Sequence, residues 1–310
     1  MSNSRLAGSI LLAALCLMAL AWAADAALTR AVSDNESLVA GRLPRLDDPR
    51  HVAEDIPIFG ASKAGSNYVP AVLGPRFYNY GMEAVSPDLT NMLMTIMLRH
   101  PSHQPVVIDL GQWMLQGVGD PRNYLPLTNR PEVRAAMDRA GVWRWYHGVP
   151  GLRYFGAWDW YVKGLLSDRL ALTRRIDRGY EIDLGEVPWS ADVFGRDVAR
   201  RREITLTWDL DPRQRVRLME LIASAPQRQF VLVLSPLHHS CLDKTSGEAA
   251  FREVLRQMKL AAPNLRIIDM TRRDYPDTYF LNTVHLNQRG ARVFSAQLHA
   301  ELVRLKVLSG

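Results

Sequence analysis

The sequence predicts an α/β protein, a three-layer α/β/α sandwich around a central parallel sheet of about five strands. Short apolar runs such as "IPIF" (56–59), "PVVIDL" (105–110) and "QFVLVLSP" (229–236) recur along the chain, separated by longer stretches of helical period. The runs lack the alternation of a strand that keeps one face in water, so each is expected to be covered on both sides. Strand and helix in repeated alternation favour parallel pairing, because each return crossing needs a helix.

In chain order, the first element is an uncharged segment. After "MSNSR", residues 6–24 carry no charge until Asp25. Arg5 supplies a short positive region, and Ala21-Trp22-Ala23 or Ala24-Asp25-Ala26 offers a small-residue cleavage site. The stretch is also just long enough to remain as a membrane anchor. Residues 1–26 are therefore read as a signal peptide or an N-terminal anchor. The expected location is periplasmic or otherwise extracytoplasmic, on the inner membrane if the segment stays. Beyond Cys16 only Cys241 is left, so a cleaved chain forms no intramolecular disulfide. Residues 27–54, polar and rich in proline and mixed charge, read as a spacer before a domain over 55–310.

From Asp55 the strands are "IPIF", "RFYNY" (76–80), "PVVIDL", "QFVLVLSP" and "LRIIDM" (265–270). "SPDLTNMLMTIMLRH" (86–100) is a helix, with Ser86 as N-cap, Pro87 in the first turn and Leu89, Leu93, Ile96 and Met97 on one face. "FREVLRQMKL" (251–260) is another, and a closing helix starts near Asn287. The interval of about 112–211 breaks the rhythm. It holds seven of the eight tryptophans and reads as a large aromatic-rich insertion. Its aromatics suit a subdomain core, sugar stacking or a membrane interface. A net charge of +6 suits work beside anionic lipid or an acidic polymer, but the basic residues are scattered and no nucleic-acid motif accompanies them.

The chemistry begins at Gly60-Ala61-Ser62, where a strand ends abruptly in small residues. Ser62 is either the N-cap of a following helix or a nucleophile on a tight turn above the carboxyl edge of the sheet. A nucleophile needs a base, and His285 in "NTVHLNQRGARVF" stands just before the last helix. Both would lie at the same edge of a doubly wound sheet.

Taken together, these blocks resemble the SGNH (GDSL-type) hydrolases, which have a flavodoxin-like fold. The resemblance is to the membrane-tethered branch that includes DltD-like and polysaccharide O-acetylation proteins. Gly60-Ala61-Ser62 matches the nucleophile block, "FYNYGMEAVSP" the block of the oxyanion glycine at Gly81, and His285 through Gly290 the histidine block. The resemblance implies acyl transfer or ester hydrolysis on an envelope polymer or exopolysaccharide. Ser62 would be the nucleophile, His285 the base, and the N–H groups of Ser62 and Gly81 the oxyanion hole. It also implies a membrane-bound O-acyltransferase as partner, and no cofactor or metal. Two departures stand out. Asn282 occupies the acid position three before His285, and in the serine proteases such an Asp→Asn change costs about 10⁴-fold through the wrong histidine tautomer. The family's Asn block is also missing after strand 3, where "DLGQWM" stands. These departures motivate an alternative: a catalytically degenerate carbohydrate-binding or assembly subunit.

Three further groups are read as ordinary polar surface. His238 and His239 lack a third metal ligand at a recognisable spacing. Asp274 and Asp277 could replace the missing acid, but a surface pair of this kind is ordinarily just solvated, and "GRDVARRRE" (195–203) is read as a solvated basic loop.

Overall fold

The computed structural model describes residues 3–35, 39–83, 85–111, 120–169, 174–183 and 189–308. Residues 112–119, which open the expected insertion and include the last three residues of "DLGQWM", lie outside the described residues.

Five parallel strands form the central sheet: β1 (Ile56–Phe59), β2 (Phe77–Asn79), β3 (Val106–Asp109), β4 (Phe230–Leu234) and β5 (Leu265–Asp269), in spatial order β2-β1-β3-β4-β5. All five lie where the apolar runs predict them. Alternate residues feed two separate cores. Phe59, Val106, Ile108, Phe230 and Leu232 face one side, with Leu89, Leu93 and Ile96 of the helix Pro87–Met97 and Leu218 and Ile222 of Pro212–Ser224. Ile56, Ile58, Val107, Val231 and Val233 face the other, with Phe294, Leu298 and Leu302 of the closing helix. Each layer is therefore apolar on the side that meets the sheet, which is why the strands read as unbroken hydrophobic runs.

The N-terminal reading needs correction. The expected spacer is folded: α1 (Asn3–Ser33) is followed by α2 (Val39–Asp47) and a short helix, Pro49–Glu54. Leu28, Val32, Leu43, Leu46 and Val52 are buried in the first core. Sequence polarity hid this, because the apolar residues are widely spaced on helix faces while Arg45 and Asp55 pair at 2.6 Å. α1 splits in character. Its apolar stretch is exposed, and it is the one described helix long and apolar enough to cross a membrane. Its last turns belong to the domain. Asp25 is buried in an ion pair with Arg153 at 3.0 Å, and Thr29 Oγ1 hydrogen-bonds the Tyr154 hydroxyl at 2.6 Å.

The aromatic interval divides as well. Tyr124, Tyr154 and Tyr161 are core residues. Trp145, Phe155 and Trp158 are exposed.

Candidate active site

β1 ends in Gly60, where a Cβ would stand 2.5 Å from Ala64 Cβ and 2.9 Å from Asp109 Cβ. Only glycine lets the chain turn away from the strand so closely. The turn leads directly into α3 (Ser62–Asn67), whose N-cap is Ala61 with no side-chain cap bond. Ser62 is thus the first helical residue and not a cap. Its Oγ lies 2.8 Å from His285 Nε2.

His285 arrives from far across the sheet, since β3 and β4 lie between β1 and β5. The loop after β5 spans that gap and is held at several points. Leu286 N–H donates to Asn67 Oδ1 at 3.0 Å, tying the histidine loop to the end of the serine helix. Asn287 caps α4 (Gln288–Arg304) by accepting Gly290 N–H. Thr283 N–H donates to Asp197 at 2.7 Å.

Asn282 stands behind the ring. Its Oδ1 accepts the backbone N–H groups of Val284 (3.0 Å) and His285 (2.9 Å), and lies 3.0 Å from His285 Nδ1. Two backbone donors require an acceptor at that position, so the amide presents its oxygen to the imidazole. The ring proton therefore sits on Nδ1, and Nε2 is left to accept from Ser62. This is the tautomer a general base needs. An amide supplies it without a charge, however. Burial pushes the His285 pKa down to about 4 from the usual 6.5, the Lys63 ammonium adds to the fall, and Asp109 and Asp197 oppose it.

The sequence reading missed Lys63. It follows Ser62 directly, is buried, and donates from Nζ to the Ser235 carbonyl at 3.1 Å. Burial lowers its pKa, and the nearby Asp109 carboxylate opposes that change. Asp109 is itself fully buried at the end of β3, accepting the Tyr68 hydroxyl at 2.7 Å and Gly111 N–H at 2.8 Å. The available signal was "VVID": a carboxylate closing an apolar parallel strand points at the carboxyl edge, where sites form.

Gly81 departs from the role expected of it. Its N–H donates to Asn79 Oδ1 at 2.8 Å, while Asn79 Nδ2 bridges the carbonyls of Ala64 and Tyr68. The amide meant for an oxyanion is engaged within the protein. What glycine provides there is close approach, since a Cβ would meet Ala64 Cβ at 2.5 Å and Gly65 N at 2.6 Å.

Asp277 joins His238 and His239, bringing three potential metal donors within 4.8 Å of one another. The bonding favours a different arrangement. His238 Nδ1 accepts the Ser240 N–H at 3.2 Å and faces its hydroxyl at 2.8 Å, which leaves the proton of the neutral ring on Nε2, 3.1 Å from Asp277 Oδ1. The pair braces the loop that carries Asn282 and His285, and a metal would have to displace that proton. Asp277 is thus occupied away from His285, and Asp274 lines the open groove beside His239. "GRDVARRRE" lies in a helix, Ala191–Arg202, with its end. Arg201 reaches Cys241 Sγ at 3.2 Å and, with Lys63, Leu206, Thr271 and Val284, lines a small, mainly apolar cleft.

No family model matches the chain, and no curated protein matches it. Among solved structures it is similar to an acetyl xylan esterase, Est2A, from the rumen bacterium Butyrivibrio proteoclasticus. The identity is 9% and the TM-score 0.33, over 83% of this chain and 65% of that one. The chain thus spans just under two thirds of that structure, and the fold assignment rests on the sheet and layers described above.

Proposed function

We propose that the chain is a serine-dependent acyl-ester hydrolase or O-acyltransferase acting on an acylated cell-envelope polymer or exopolysaccharide. The observation that carries this reading is the continuous relay from Ser62 Oγ through His285 to Asn282 Oδ1. His285 Nε2 takes the Ser62 proton as Oγ attacks the ester carbonyl carbon. The imidazolium then returns that proton to the leaving alcohol, and an acyl-serine remains. Water or a sugar hydroxyl, deprotonated by the same histidine, releases the acyl group by hydrolysis or transfer. As the first residue of a helix, Ser62 has an N–H without an intrahelical acceptor, a donor of the kind that stabilises developing negative charge. Lys63 adds a buried positive charge close by. The membrane-bound O-acyltransferase suggested by the family resemblance would supply the acyl group.

The experiment is labelling with a fluorophosphonate and intact mass after p-nitrophenyl acetate. The parent should gain the phosphonyl and acetyl adducts, and Ser62→Ala should gain neither. Equal labelling of Ser62→Ala overturns the assignment. The engaged Gly81 amide favours a second reading, a degenerate subunit that binds glycan without turnover. Glycan binding that survives both Ser62→Ala and His285→Ala, with no acyl adduct on the parent, would select it.

A further inference from the structure

The exposed aromatics of the insertion gather where α1 leaves the domain. Gly151, at φ +86, packs its backbone against α1 so closely that a Cβ would stand 3.0 Å from Ala21 Cβ. Beside it Arg153 pairs with Asp25, and Tyr154 bonds Thr29. The contact thus falls where the apolar stretch of α1 ends and its buried turns begin. Around that point the surface is apolar. Trp145 and Phe155 are each 73% exposed and are linked by edge contacts through Tyr146. Val149 and Leu152 are exposed on the turn that carries Gly151. The helix α5 (Trp158–Arg169) continues the surface with Trp158, Val162 and Leu166 exposed at four-residue spacing, one apolar stripe along the helix. Trp22 of α1 is exposed at the same level as Ala21. A continuous exposed apolar surface of this kind marks an interaction site.

We propose that α1 is retained as a membrane anchor, and that the face made by Trp145, Val149, Leu152, Phe155 and the α5 stripe rests on the lipid bilayer beside it. The occupant follows from continuity. A helix rises about 1.5 Å per residue and about 20 residues cross the hydrocarbon layer. An α1 that spans up to the level of Trp22 therefore brings Gly151 and its neighbours to the headgroup boundary. Tryptophan and phenylalanine are the side chains that settle there, with apolar rings toward the acyl chains. Removal of α1 at either small-residue site would cut into or beside Asp25, whose partner Arg153 sits under this surface. The seating is independent of the acyl chemistry proposed for Ser62.

The test uses the full chain in nanodiscs of phosphatidylethanolamine and phosphatidylglycerol, in a Cys16→Ala background. An environment-sensitive nitrobenzoxadiazole dye is attached at Phe155→Cys and, as reference, at Leu260→Cys, an exposed apolar position (71%) on the helix Glu248–Ala261. Dye at 155 should emit to the blue of dye at 260, and lipids with a nitroxide high on the acyl chain should quench it at least twofold more. Equal emission and equal quenching at the two positions overturn the proposal. So does a blue shift at 155 that appears only when a soluble polysaccharide or a partner protein is added. Intact mass of chain extracted from membranes should include residues 1–24, and a chain that begins after Ala23 or Ala26 overturns the retained anchor.

Discussion

Two backbone N–H groups, from Val284 and His285, decide which atom of the Asn282 amide faces the imidazole. The tautomer problem of an Asp→Asn change is thereby avoided, and only the missing charge remains. That charge governs pH behaviour. With His285 near 4, the neutral base is present above that pH, so kcat/KM for a small ester should fall as pH drops through about 4 and stay level up to neutrality. Lys63 depresses this pKa, so Lys63→Met should move the acid limb to higher pH. Asn282→Asp should move it the same way and raise turnover by an order of magnitude or more, as stabilisation of the imidazolium requires. A limb unmoved by both substitutions would show that another group titrates. Stability has a definite sign here. The folded pKa lies below the unfolded 6.5, so the unfolded chain binds the proton first. The contribution is whole above about pH 6.5 and is lost as pH falls toward 4, by about 3 kcal/mol at most. Urea titrations of the parent and His285→Gln at pH 7 and pH 4.5 would expose the difference.

β1 with its exit turn and α3 form the element on which the site is built. Their positions were legible: four apolar residues, a glycine and a serine can hardly form anything but a buried strand and a tight turn. The contacts that set the turn were not legible, because they come from other strands. Gly81, Asn79 and Asp109 converge on α3 from β2 and β3, and nothing in local pattern records which loop amide faces which side chain. Gly81→Ala must push a methyl group into Ala64 and the Gly65 backbone. It should cost about 2 kcal/mol or more by urea unfolding, as overpacking against backbone does. The His238–Asp277 pair was equally hidden, with its members on different loops and neither spacing diagnostic. Asp277→Asn should weaken the brace, lowering kcat more than it changes KM, while zinc titration should leave the melting temperature of the parent unchanged.

Across the whole molecule, α1 links a membrane-length apolar helix to the core of the domain. Asp25→Ala would leave the Arg153 guanidinium buried without its partner, a loss of about 3–5 kcal/mol for pairs of this kind. A drop of less than 1 kcal/mol in the unfolding free energy would mean that the α1 junction contributes little. Truncation before Ala21 should leave the soluble fold intact, whereas truncation after Ser33 removes Leu28 and Val32 from the core and should aggregate. The contrast with residues 27–54 is instructive. Hydrophobic runs identified the strands, most plainly β1, β3 and β4, because a strand buried on both faces is apolar at nearly every position, a constraint local enough to read by eye. The same reading took 27–54 for a spacer, because a helix that buries one stripe leaves most of its residues polar. The resemblance of the ordered blocks to the SGNH hydrolases, more than any local pattern, singled out Ser62, His285 and Asn282. Only the folded chain determined that Nε2 faces the serine, that Lys63 lies buried beside it, and that the Gly81 amide is engaged. Each of these depends on distances between segments more than a hundred residues apart or on the direction of one N–H bond, and sequence spacing carries neither.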